Sequence, residues 1–208
     1  MVVPSLARAL NAAGLLGCSL ILLVAFWYQI VLGELPCPLC VLQRAAFTAA
    51  GLGLVLNICD RPRPSHYAIV ILSAVIGGAI SARQTALHIA PGTGTYGEAL
   101  FGLHFYVWAL IAFVGIIVGI AILCLWDAQF APEPPARRAE PVFVLGQTMV
   151  TETTSLPGAR AGAFGLATVF LFLAVALANA GSTFAECGLG LCPDNPVSYE
   201  MIDRLLGR

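Results

Sequence analysis

The sequence predicts an all-α integral membrane protein with five transmembrane helices, and three observations carry that prediction. Of 208 residues, 59% are hydrophobic and only 10% charged, against about a quarter charged in a soluble domain. The scarce charges are spaced so that long apolar stretches separate them, and a bilayer core of about 30 Å needs roughly 20 apolar residues in a helix. The arginines, which supply all ten basic residues, concentrate in alternate connections. A net charge of -1 leaves no basic field for nucleic acid.

The first span, Ala9 to Gly33, is uncharged between Arg8 and Glu34. It is too long for the apolar region of a cleaved secretory signal, and no small-residue cleavage site follows. The second, Leu39 to Cys59, and the third, Tyr67 to Ile89, each accommodate one arginine, Arg44 and Arg83. A charge at membrane depth is costly, so both arginines draw functional interest. Gly92, Gly94 and Gly97 then spell G-x-G-x-x-G, but they follow a membrane helix instead of a strand, and dinucleotide binding is rejected. The fourth span, Ala99 to Trp126, lies between Glu98 and Asp127. Residues 128–160, with five prolines from Pro132 to Pro157, read as a cytoplasmic linker. Within it Val142 to Val150 is apolar but too short to cross. The fifth span occupies residues 161–185, between Arg160 and Glu186. In the tail, residues 186–208, Asp194-Asn195-Pro196 resembles a cap followed by proline at the first helical position. Val197, Met201, Ile202, Leu205 and Leu206 would then share one face of a short interfacial helix.

Arg8, Arg61, Arg63, Arg137, Arg138 and Arg160 all fall on one set of connections, whereas Glu34 to Pro38 and Ala90 to Glu98 contain none. The excess of basic residues marks the cytoplasm, so the N-terminus is expected inside and the tail outside. That orientation sorts the seven cysteines. Cys18 lies mid-span, and Cys59 and Cys124 near cytoplasmic ends; all three read as small buried hydrophobes kept reduced. The other four lie outside in two pairs, Cys37-Pro38-Leu39-Cys40 and Cys187-Gly188-Leu189-Gly190-Leu191-Cys192.

A C-x-x-C at a helix start offers its sulfurs to unpaired N–H groups and to the positive end of the helix dipole, which stabilise thiolate. Arg44 is four residues past Cys40, hence one turn deeper on the same face. The competing readings are a static disulfide or half of a metal site completed by Cys187 and Cys192, although a neighbouring arginine disfavours a cation there. Arg44 alone could also snorkel to the headgroups. Together with Gln43, Arg83, Gln84 and His88, it outlines a polar pocket near the outer leaflet for something that accepts electrons or negative charge. Helix packing and loop anchoring account for Arg83, Gln84 and His88 equally well. The second pair, bridged by a glycine-rich loop, can close into an exposed disulfide open to exchange with another protein's thiol, or into a static clip.

The run Pro36-Cys37-Pro38-Leu39-Cys40-Val41-Leu42-Gln43-Arg44, between a first and a second span, resembles the disulfide bond formation protein B (DsbB) family. Phe101 to Trp108 is similar to that family's approach to its fourth span, and the resemblance covers roughly residues 8–127. It implies a four-helix transmembrane bundle over residues 1–127 in the bacterial inner membrane, to which the linker, a fifth transmembrane helix and the tail are added. It also implies that Cys37 and Cys40, with Arg44, pass electrons to a bound quinone, ubiquinone or menaquinone, from the membrane quinone pool. Arg83, Gln84 and His88 are the further candidate quinone contacts, and no metal is assigned. In the family a second external pair re-oxidises a periplasmic thioredoxin-like dithiol oxidase of the DsbA type. That pair usually lies between spans three and four, where Ala90 to Glu98 here holds no cysteine, so Cys187 and Cys192 are taken as a relocated shuttle. On this reading a partner thiolate attacks the tail disulfide and the tail dithiol reduces Cys37–Cys40. Cys40, nearer Arg44, then donates the electrons. Three rival readings are a vitamin K epoxide reductase-like oxidoreductase, whose C-x-x-C is expected late in the bundle; a metal-binding or transport protein using the external cysteines; and a structural membrane subunit.

Overall fold

Within lipid an apolar segment satisfies its backbone polar groups most readily as a helix, and in the computed structural model five apolar stretches do so. The structure describes residues 3–89, 92, 94, 97, 99–131, 162–190, 192–193 and 196–207. The helices are α1 (Val3–Val31), α2 (Pro38–Cys59), α3 (Pro64–His88), α4 (Phe105–Cys124) and α5 (Ala163–Cys187). Each is long and apolar enough to cross a membrane, and the protein is an all-α, multi-pass membrane protein. Both α2 and α3 open on a proline, which lacks the N–H that a first helical turn cannot use.

Helix α2 packs between α1 and α3, and α3 carries α4, so the first four helices run up and down in chain order. Among the described residues α1 and α4 share no extended interface beyond such contacts as Tyr28 against Phe105, centroids 4.4 Å apart, and these residues leave that side of the bundle open. Helix α5 lies along α1 and touches α2. Glycines allow the closest approaches: a Cβ on Gly77 would overlap the ring of Phe113 on α4, and one on Gly51 would overlap Phe172 on α5. Phe113 in turn stacks on Phe47 of α2, centroids 3.9 Å apart. Small residues at helix contacts are the usual device where lipid removes most of the hydrophobic drive.

At the end where α1 begins, a buried polar cluster ties three helices together. Asn11 donates to the Tyr67 hydroxyl (2.7 Å), Asn57 donates to Asn11 (3.0 Å), and Tyr67 donates to Gln129 (2.8 Å). Gln129 belongs to a short 3-10 turn, Asp127–Phe130. The first residues expected in the linker are therefore fastened to the bundle, because Gln129 completes that network. From 132 to 161 the linker, Val142 to Val150 included, lies outside the described residues.

Other boundaries also differ from expectation. Helix α4 begins at Phe105, since Ala99–Leu100 and Leu103–His104 form a two-stranded hairpin instead, β1 with β2. The hairpin tip has Phe101 and Gly102 at positive φ, and Trp108 Nε1 donates to the Leu100 carbonyl at 2.9 Å. Helix α5 runs past Ala185 and includes Glu186. The tail helix, α6 (Glu200–Leu206), starts after Val197, which is 93% exposed and not part of its face. Asp194 and Asn195 lie outside the described residues.

Candidate functional site

Proline at the first position of α2 leaves Cys37 as its cap: the Cys37 Sγ accepts from the Cys40 N–H at 3.2 Å. The two sulfurs form a disulfide, held where the first turn's unpaired N–H groups stabilise negative sulfur. Cys37 is buried and Cys40 half-buried. From α3, Gln84 donates to both sulfurs, at 3.3 Å to Cys37 and 3.7 Å to Cys40, and its Oε1 accepts from Gln43 Nε2 at 2.8 Å. Gln84 thus faces the disulfide itself.

Arg44, one turn below Cys40, reaches across to α1. Its guanidinium donates to Gln29 Oε1 at 2.6 Å and to the Ala25 carbonyl at 3.0 Å. Cys40, Gln43 and Arg44 line one cavity of about 370 Å³ on the open side of the bundle, within the usual range for a small-ligand pocket. Its walls come from α1 (Tyr28), α2 (Phe47) and α4 (Phe105, Tyr106), with Glu34 at the loop side, and they are mostly apolar. A cavity of this composition can take a flat, largely apolar acceptor with its polar edge toward Arg44, Gln43 and the Cys40 sulfur.

The second pair also forms a disulfide, Cys187–Cys192. It is less open than a glycine-rich loop suggests: Cys187 ends α5 and is buried, and Cys192 is half-buried. It stands at the same end of the bundle as the first pair, and a polar chain runs beneath it. Gln29 Nε2 donates to Ser182 of α5 (2.6 Å) and to the Tyr199 hydroxyl (3.1 Å), while Gln29 Oε1 holds Arg44.

The other candidates separate. Arg83 points outward and is absent from the cavity wall, because successive helical residues are about 100° apart and Gln84 takes the inward position. His88 lies outside the cavity wall; its Nδ1 is 3.0 Å from the Gly94 carbonyl, and its ring is 5.4 Å from that of Tyr106. It anchors the loop after α3. Gln29, Tyr28, Tyr106 and Glu186 were not singled out by sequence, although a glutamine inside an apolar span is a signal that sequence offers. Among the described residues no group of three or more His, Cys, Asp and Glu gathers as metal ligands.

Comparison with known proteins bears on the same helices. The family model "Disulfide bond formation protein DsbB" matches residues 7–98. Among curated relatives, disulfide bond formation protein B of Xanthomonas euvesicatoria is 27% identical over 146 residues, 52% of this chain and 85% of the relative. That of Stutzerimonas stutzeri is 26% identical over 156 residues, 58% of this chain and 93% of the relative. The Azoarcus protein is 30% identical over 92 residues, 42% of this chain and 55% of the relative. No solved structure matches the chain significantly. Through α1 to α3 and the loop that follows, which carry the capped cysteine pair, Arg44 and Gln84, the chain is similar to the disulfide bond formation protein B family.

Proposed function

We propose that the protein is a membrane thiol–disulfide oxidoreductase that re-oxidises a thioredoxin-like protein of the DsbA type and passes the electrons to quinone, ubiquinone or menaquinone. In this proposal it sits in a bacterial inner membrane, with the N-terminus cytoplasmic and both cysteine pairs outside. The observation that carries the reading is the sharing of one apolar cavity by Cys40 and Arg44.

A bound quinone supplies an acceptor for two electrons and two protons. Everything else is done by the chain. The partner's thiolate attacks Cys192, the more open sulfur, and the Cys187–Cys192 bond breaks with Cys187 leaving. The partner's second thiol resolves the mixed disulfide, so the partner departs oxidised and the tail is left as a dithiol. The tail dithiol gives its two electrons to Cys37–Cys40 and closes again. Cys37 and Cys40 then re-form their own disulfide as two electrons and two protons leave for the acceptor. Arg44 holds positive charge at the wall where negative charge develops. The helix N-terminus and Gln84 stabilise the sulfur that carries charge in between.

Purified protein given reduced partner is expected to reduce a ubiquinone analogue, followed by its absorbance. Cys40→Ala is expected to bring turnover to background; retained turnover would overturn the assignment. Cys187→Ser is expected to stop oxidation of the partner, and an unaffected rate would make the tail pair a static clip.

A further inference from the structure

Glu186 has an unusual situation. It is 0% exposed inside α5, and neither carboxylate oxygen has a hydrogen-bond partner among the described residues. An uncompensated carboxylate at such a place is costly, and a polar chain leads from its helix face to Arg44: Ser182, one turn before Glu186 on α5, accepts from Gln29 Nε2, and Gln29 Oε1 accepts from Arg44. Arg44 donates to neutral acceptors, Gln29 and the Ala25 carbonyl. The fifth helix therefore carries a buried carboxyl, next to Cys187, on the same polar chain as the arginine that faces the cavity.

We propose that Glu186 is a positioning residue of the redox site: acting through Arg44, it sets the thiol–disulfide balance of Cys37–Cys40. This rests on the reading of Cys37–Cys40 and Arg44 as the electron-donating centre. The physical sign is fixed by Coulomb's law. Arg44 stabilises thiolate and so favours the reduced pair. A negative Glu186 offsets part of that field and returns the balance toward the disulfide, which is the direction in which electrons must leave the pair. The added helix thereby tunes the donor as well as carrying the tail.

The test equilibrates full-length protein in nanodiscs with glutathione redox buffers at fixed pH, then counts alkylated Cys37 and Cys40 by peptide mass spectrometry. Glu186→Gln is expected to shift the equilibrium toward the dithiol by roughly tenfold, the size of one pKa unit on a thiolate. Glu186→Asp is expected to restore it. In an Arg44→Gln background the Glu186→Gln shift is expected to vanish. Should Glu186→Gln fail to fold, Gln29→Glu puts a carboxylate against Arg44 and is expected to move the balance toward the disulfide. An unshifted equilibrium in folded Glu186→Gln, an equal shift without Arg44, or a Gln29→Glu shift toward dithiol would overturn the proposal. No quinone or partner enters this measurement, so failure of the wild-type protein to reduce a quinone analogue would sink the functional reading separately.

Discussion

At the scale of single residues, the site turns on which neighbour each polar side chain finds. Gln29 is held on three sides, by Arg44, Ser182 and Tyr199. Gln29→Leu is expected to lower kcat/KM for a ubiquinone analogue by about tenfold, the equivalent of roughly 1.4 kcal/mol for a lost hydrogen bond to a charged group. The Cys37–Cys40 disulfide should still form, as checked by thiol titration. Arg83→Gln, at an outward position, is expected to leave the same kinetics unchanged. The C-x-x-C, Arg44 and Gln43 were legible beforehand because all lie within two turns of one helix, where spacing alone places side chains. Arg83 and Gln84 were not separable, since adjacent residues can exchange inward and outward places by a rotation of α3 about its axis.

At the scale of elements, what holds the helices at the right spacing is the pairing of small residues with rings. Gly77→Val is expected to force Phe113 off α3 and destabilise the bundle by about 1–3 kcal/mol, as overpacking does. Thermal unfolding in detergent would record it. At the opposite end, Asn57 accepts from the Arg63 N–H at 3.1 Å and donates to Asn11. Asn57→Leu leaves buried partners unpaired and is expected to cost about 1–3 kcal/mol, again read as a lower melting temperature. The spans themselves were legible as uninterrupted apolar runs. Their ends were less so: Glu186 reads in sequence as the charge that closes the fifth span, yet α5 carries it inside, fully buried beside Cys187. Likewise the residues before Phe105 are apolar enough for a helix, but a tight turn at Phe101 and Gly102 folds them into a hairpin.

For the whole molecule, the consequence of five spans is that the two disulfides share one end of the bundle and the exposed thiol Cys59 stands at the other. After mild reduction of spheroplasts, a membrane-impermeant maleimide is expected to label Cys192 without permeabilisation and Cys59 only after it. The reverse pattern would invert the orientation proposed from the arginines. Linear sequence was enough for the number of spans, for the division of seven cysteines into two close pairs and three free thiols, and for the placing of Cys40 and Arg44 on one face of α2, but of the three thiols expected to be buried only Cys18 is, Cys124 being half-buried and Cys59 exposed at its helix end. Those features depend on local runs and on spacing within one helix. The cavity on the open side between α1 and α4, the outward turn of Arg83, the grip of Gln29 on Arg44 and the burial of Glu186 beside Cys187 came only with the tertiary structure. Membrane helices are apolar on nearly every face, so their sequences say little about which face turns inward. That choice is made by packing between residues far apart in the chain, such as Gly51 against Phe172 and Gly77 against Phe113.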